Sequence, residues 1–87
     1  MMIVKNATAG TLESSDVYVQ IQPGEGSLQL SVESVVANQF GDAIREVVEE
    51  VCAQQGVTNA NVRIIDRGAL ECVIRARVET AILRGKE

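Results

Sequence analysis

Between Asp16 and Glu33 apolar and polar residues alternate: Val17, Val19 and Ile21 fall on one side with Tyr18, Gln20 and Gln22 on the other, and then Leu28, Leu30 and Val32 alternate with Gln29, Ser31 and Glu33. A period of two marks half-buried strands, so this stretch predicts a pair of them. Pro23-Gly24-Glu25-Gly26 lies between, and one fixed φ beside two glycines predicts a hairpin turn that pairs the strands directly. After Ser34 the period changes. Phe40, Ile44, Val47, Val48, Val51 and Cys52 recur at helical spacing and predict a helix from about Val35 to Gln55, with Ser34 as its N-cap and Gly56 ending it in a left-handed conformation.

Val62 and Ile64, alternating with Arg63 and Ile65, predict a third strand. The Asp66-Arg67-Gly68 turn then leads into Leu70, Cys72, Ile74, Ala76 and Val78 as a fourth, which carries Glu71, Arg75, Arg77 and Glu79 on its other face. From Val78 through Ala81 and Ile82 the spacing turns helical, so this strand passes into a short C-terminal helix. The sum is an α+β domain: a small, mainly antiparallel sheet of about four strands covered by one long helix. At 87 residues the chain is expected to form a single domain over its whole length, 1–87.

Composition narrows the chemistry. Histidine is absent and the only aromatics are Tyr18 and Phe40, so the core must be built from aliphatic side chains, and no mechanism based on a histidine base can operate. No catalytic residue and no metal ligand set is nominated. Twelve acidic against eight basic residues, a net charge of −4, argue against a phosphate-backbone binder and so against nucleic acid as a partner. No apolar run reaches the length of a signal peptide or of a membrane span, which leaves the cytoplasm as the expected compartment and no membrane partner. Cys52 and Cys72 belong to no CxxC pair and read as buried, reduced thiols.

Three groups of polar residues could carry function. Ala9-Gly10-Thr11-Leu12-Glu13-Ser14-Ser15-Asp16 sets two hydroxyls between carboxylates in a stretch without periodicity, an exposed loop that is either an ordinary turn or a modification site. With no adjacent base, Ser14 or Ser15 could react only if another protein activated it. On the predicted helix Asp42, Glu46, Glu49 and Glu50 form an acidic face, either solvated or a dock for a basic partner. Arg63, Arg75 and Arg77 would share the open face of the third and fourth strands if these are neighbours, there either to meet phosphates or to pair across strands with Glu71 and Glu79.

Beyond these local readings, Ala9-Gly10-Thr11-Leu12-Glu13-Ser14-Ser15-Asp16-Val17, then Gln39-Phe40-Gly41-Asp42-Ala43-Ile44-Arg45, then Asp66-Arg67-Gly68-Ala69-Leu70-Glu71-Cys72 with Arg75-Ala76-Arg77-Val78-Glu79, resemble the acyl carrier (gamma) subunit of bacterial citrate lyase, from about Ala9 to Leu83. The resemblance implies a carrier without catalysis of its own. It implies that Ser14, the first serine of the Leu-Glu-Ser-Ser/Gly-Asp motif, holds a phosphoribosyl-dephospho-coenzyme A group (2'-(5''-phosphoribosyl)-3'-dephospho-CoA) through a phosphodiester, and that the thiol of this group carries acetyl and citryl units while citrate is cleaved to acetate and oxaloacetate. The implied partners are the alpha (acyl transferase) and beta (citryl lyase) subunits and a holo-carrier synthase. Ser15, where some relatives have glycine, is a second hydroxyl beside the first. The carrier subunit of malonate decarboxylase is the nearest functional alternative, and a plain protein-interaction module is the other.

Overall fold

The computed structural model describes residues 2–35 and 37–86, with the side chains of residues 37–40 outside the description. Phe40, counted in the helical stripe, falls among those side chains, and Val36 lies outside the described residues. Six elements follow in order: β1 (Ala7–Gly10), β2 (Val17–Pro23), β3 (Leu28–Ser34), α1 (Ala37–Gln54), β4 (Ala60–Asp66) and α2 (Glu71–Gly85).

The strands form one sheet in the order β1-β2-β4-β3. β2 pairs antiparallel with β1 and with β4, whereas β3 pairs parallel with β4. β2 and β3 are therefore not a hairpin, because β4 lies between them. The Pro-Gly-Glu-Gly link spans the gap by passing over the start of β4: the Gly26 amide donates to Asn59 Oδ1 at 2.8 Å, and the Ala60 amide donates to the Ser27 carbonyl at 3.2 Å. Gly24 is needed for that close passage, since a Cβ built on it would fall 2.6 Å from the Ala60 amide nitrogen. The glycines read as a turn signal serve a crossing.

Period two holds within each strand. Val17, Val19 and Ile21 of β2 and Ala60, Val62, Ile64 and Asp66 of β4 are buried, while the intervening positions of both strands are more open. β3, at the edge, buries Leu28, Leu30 and Val32 only partly. One face of the sheet is covered by two helices rather than one, with α1 packed against β3 and α2 against β1, β2 and α1. Among the described residues of α1, Ile44, Val47, Val48, Val51 and Cys52 are the buried hydrophobic side chains, as the spacing predicts, and Gly56 ends the helix region at φ 73°. Burial of each such Val or Ile is worth about 1.5–3 kcal/mol, so an aliphatic core of this kind does not depend on aromatic rings.

The segment predicted as a fourth strand is the first half of α2. Its buried side chains are Ile74, Val78, Ala81 and Ile82, at helical spacing, whereas Leu70, Cys72 and Ala76 are exposed. Ile74 and Val78 satisfy both periods, and the strand reading rested on treating Cys72 and Ala76 as core residues. The fourth strand is instead β1, a short edge strand of small residues in which only Ala9 is fully buried. Ser34 is the last residue of β3, and its hydroxyl donates to Asp66 Oδ2 at 2.8 Å.

Candidate functional site

The register brings three connections to one end of the sheet. Gly10 lies opposite Tyr18, Val17 opposite Asp66, and Ser34 also opposite Asp66. The loop Thr11–Asp16, the approach to α1 and the Arg67–Leu70 approach to α2 therefore emerge side by side. Ser14 lies in the first of these and is exposed, and its hydroxyl has no hydrogen-bond partner among the described residues.

The loop around Ser14 is held tightly. Asp16 is the hub: Oδ2 accepts from the Thr11 hydroxyl at 2.7 Å and Oδ1 from the Val17 amide at 2.8 Å, while Arg77 of α2 donates from Nε to Oδ1 at 3.3 Å and from Nη2 to Oδ2 at 3.2 Å. These contacts, the Thr11 hydroxyl foremost, then the Val17 amide and the Arg77 guanidinium, outweigh partial burial and hold the Asp16 carboxyl below its ordinary pKa of 3.8. The main chain adds a second clasp. The Ser15 amide donates to the Arg67 carbonyl at 2.8 Å and the Arg67 amide donates to the Asp16 carbonyl at 2.9 Å, while the Asp16 amide closes the tip onto the Glu13 carbonyl at 3.1 Å.

Two backbone conformations make this path possible. Gly10 enters the loop at φ 88°, and a Cβ on it would collide with the Val17 carbonyl oxygen. Ser15 adopts φ 68°, the left-handed region that favours glycine. The Ser15 main chain is folded back onto Arg67, with Ser14 next to it and exposed. The arrangement leaves the side chains of Ser14 and Ser15 exposed on a loop whose main chain and Asp16 are held in place.

The third connection is organised by Asp66, 2% exposed, which accepts from the Ser34 hydroxyl and, through Oδ1, from the Ala69 amide at 2.9 Å. Gly68 follows at φ 91°, and α2 begins at Glu71. Leu12, Val35 and Leu70, exposed by 52%, 63% and 72%, put one apolar side chain on each of the three connections.

The three arginines singled out together are separated by the fold. Arg63 lies on β4, on the sheet face away from the helices. Arg75 bridges α2 to α1, donating to Glu50 at 3.1 Å and lying 3.6 Å from Glu71 along its own helix; Glu50 first, then Glu71, raise its pKa. Only Arg77 reaches the Ser14 loop, and Asp16 occupies it. The shared arginine face and the cross-strand pairing with Glu79 both fail, because their premise, a fourth strand, is a helix. Asp42, Glu46, Glu49 and Glu50 do lie exposed on α1. Cys52 is buried as expected, whereas Cys72 is exposed in the first turn of α2. Arg67 and Gly10 also shape the loop; the glycines at 10 and 68, both at positive φ in the structure, flank the segments that meet there.

The fold and the loop define a small α+β scaffold that presents an exposed pair of serines on a clasped loop. Residues 4–85 match the family model described as malonate decarboxylase delta subunit (MdcD). The chain is 54% identical to the citrate lyase acyl carrier protein of Escherichia fergusonii over 88 aligned positions, which cover 100% of this chain and 91% of the relative. It is 55% identical to the citrate lyase acyl carrier protein of Klebsiella pneumoniae over 94% of this chain and 86% of the relative. Among solved structures, a chain of a Pseudomonas malonate decarboxylase hetero-tetramer in complex with malonate superposes with a TM-score of 0.77 at 25% identity, covering 97% of this chain and 91% of that one. The chain belongs to the family of acyl carrier proteins that comprises those of citrate lyase and the malonate decarboxylase delta subunits. No helix among the described residues is long and apolar enough to cross a membrane.

Proposed function

We propose that the chain is the acyl carrier subunit of a citrate lyase, with Ser14 holding phosphoribosyl-dephospho-coenzyme A through a phosphodiester. The single observation that carries this reading is the identity of more than half the residues, along the whole chain, to citrate lyase acyl carrier proteins. The site fits the group on independent grounds. Ser14 offers an exposed hydroxyl without a hydrogen-bond partner among the described residues, so esterification breaks none of the bonds seen there; Ser15 is exposed as well, and the order of the motif assigns the attachment to Ser14.

When attached, the group supplies a thiol on a long tether, whose acetyl and citryl thioesters are better electrophiles than free carboxylates. The chain's own residues do the rest by position. Asp16, Arg77 and the Arg67 main chain fix the base of the tether, so its length alone defines the volume searched, and that raises the effective concentration of the acyl group at successive active sites. On this reading those active sites belong to the alpha (acyl transferase) and beta (citryl lyase) subunits, and a holo-carrier synthase performs the attachment, in the cytoplasm.

Coexpression with that synthase followed by intact-mass measurement tests the proposal. The expected adduct equals the prosthetic group, maps to the peptide containing Ser14, disappears in Ser14→Ala and persists in Ser15→Ala. An unmodified chain under conditions where the synthase modifies an established carrier overturns it. The family model and the Pseudomonas structure favour a second reading, the carrier of a malonate decarboxylase. That carrier would show the same kind of adduct, so co-purification separates the two: recovery with malonate decarboxylase subunits, and not with citrate lyase alpha and beta, selects the second.

A further inference from the structure

We infer that Arg67 is the guanidinium that binds the phosphodiester formed on Ser14, an inference that rests on the carrier reading above. A phosphodiester at Ser14 places a new negative charge in a loop that already contains Glu13 and Asp16. Asp16 is balanced by Arg77, which spends Nε and Nη2 on it. Arg63 lies four residues back along β4, opposite Gln20 and away from the loop, and Arg75 is engaged by Glu50 and Glu71. Arg67 remains. Its main chain is bonded to both residues that follow Ser14, through Ser15 at 2.8 Å and Asp16 at 2.9 Å. Its side chain is exposed and makes no hydrogen bond or ion pair among the described residues.

The anchoring gives that free guanidinium its meaning. The Arg67 main chain continues the β2–β4 ladder and is bonded to Ser15, the residue next to Ser14, so the exposed guanidinium is carried on backbone tied to the loop that would bear the phosphodiester. Gly68 follows with open space around it, so no side chain at that position screens the approach. A planar fork of donors suits two phosphate oxygens. Arg67 is thus a positioning residue that holds the root of the tether against the scaffold. The site combines one covalent point from the loop before β2 with one ionic point from the turn after β4.

The test uses the full chain loaded by its synthase, with loading confirmed by mass, and reads magnetic resonance rather than turnover. On loading, the Nε–Hε resonance of Arg67 is expected to shift while those of Arg63 and Arg75 stay in place, and 0.5 M salt should reverse much of the shift, as screening requires. The ³¹P resonance of the diester should move in Arg67→Gln and return toward the wild-type position in Arg67→Lys. Because the contact is solvent-exposed, the attachment rate in Arg67→Gln should fall only roughly three- to fivefold. Loading with no movement of the Arg67 resonance, together with an identical ³¹P shift in Arg67→Gln, overturns the inference and leaves the carrier reading standing. Failure of the wild-type chain to load overturns both.

Discussion

Arg77 reaches Asp16 across 61 residues of sequence and meets both of its carboxylate oxygens, so the middle of α2 is tied to the loop that precedes β2. The pair links the covering layer of the molecule to its proposed modification site. A carboxylate whose folded pKa lies below the unfolded value adds stability at every pH above the unfolded value and loses that share as pH falls through the folded one. Asp16 titrates below 3.8, so its share is complete at neutral pH and disappears in acid. In Asp16→Asn, Tm at neutral pH should drop by about 2–5 °C, and thermal scans should show the gap to wild type closing as pH is lowered past 3.8. A gap that stayed constant into strong acid would assign the loss to something other than this carboxylate.

Ser15 pays for its left-handed φ of 68° in a way that glycine would not. Relief of the Cβ clash, less the greater backbone entropy of glycine, leaves Ser15→Gly more stable by about 0.5–1 kcal/mol. Urea titration should move the midpoint upward with an unchanged slope, and loading at Ser14 should be intact. Gly10→Ala should behave in the opposite sense. Its Cβ would collide with the Val17 carbonyl at φ 88°, and the expected loss of about 2 kcal/mol or more should be accompanied by faster proteolysis within residues 11–16.

Asp66 is the most sensitive polar residue on stability grounds. Its buried carboxylate satisfies the Ser34 hydroxyl and the Ala69 amide, and removing it leaves both without that acceptor. Asp66→Ala is expected to cost about 3 kcal/mol and Ser34→Ala about 1 kcal/mol. Denaturant unfolding of the double variant should be less than additive, because the two side chains share one hydrogen bond.

The thiols should separate cleanly. Burial, and to a lesser degree the charge of Glu49, push Cys52 up to about 11, whereas Cys72 is exposed. At about pH 8, iodoacetamide should add one label to the native chain, on Cys72, and a second only after denaturation. Rapid double labelling under native conditions would contradict the packing of α1 against the sheet.

Local regularities were legible where one period stood unopposed. The alternation through β2, β3 and β4 and the stripe of α1 each follow from a single repeat, and each element occurs where its repeat lies. The loop motif around Ser14 was also legible, as a resemblance, because family motifs preserve order along the chain. Pairing was not. Nothing local to β2 and β3 says that β4, which begins at Ala60 beyond the whole of α1, will insert between them, since a short link can serve a hairpin or a crossing and the choice depends on which strand best fills the centre of the sheet. Over Ile74 and Val78 the two periods coincide, so the spacing marks the helix only from Val78 onward, and its start at Glu71 is set by tertiary packing.

The same division runs through the site. Composition and order along the chain determined that no histidine chemistry is available, that the scaffold is aliphatic and acidic, and that one serine-bearing loop precedes a strand. Tertiary structure decided which arginine serves that loop. By making residues 71–85 a helix it sent Arg75 to Glu50 and Arg77 to Asp16, and by pairing β2 with β4 it set Arg67 beside Ser14. Residue types and periods act locally and can be read locally, but a charge finds its partner through the layer and register that bring distant segments together.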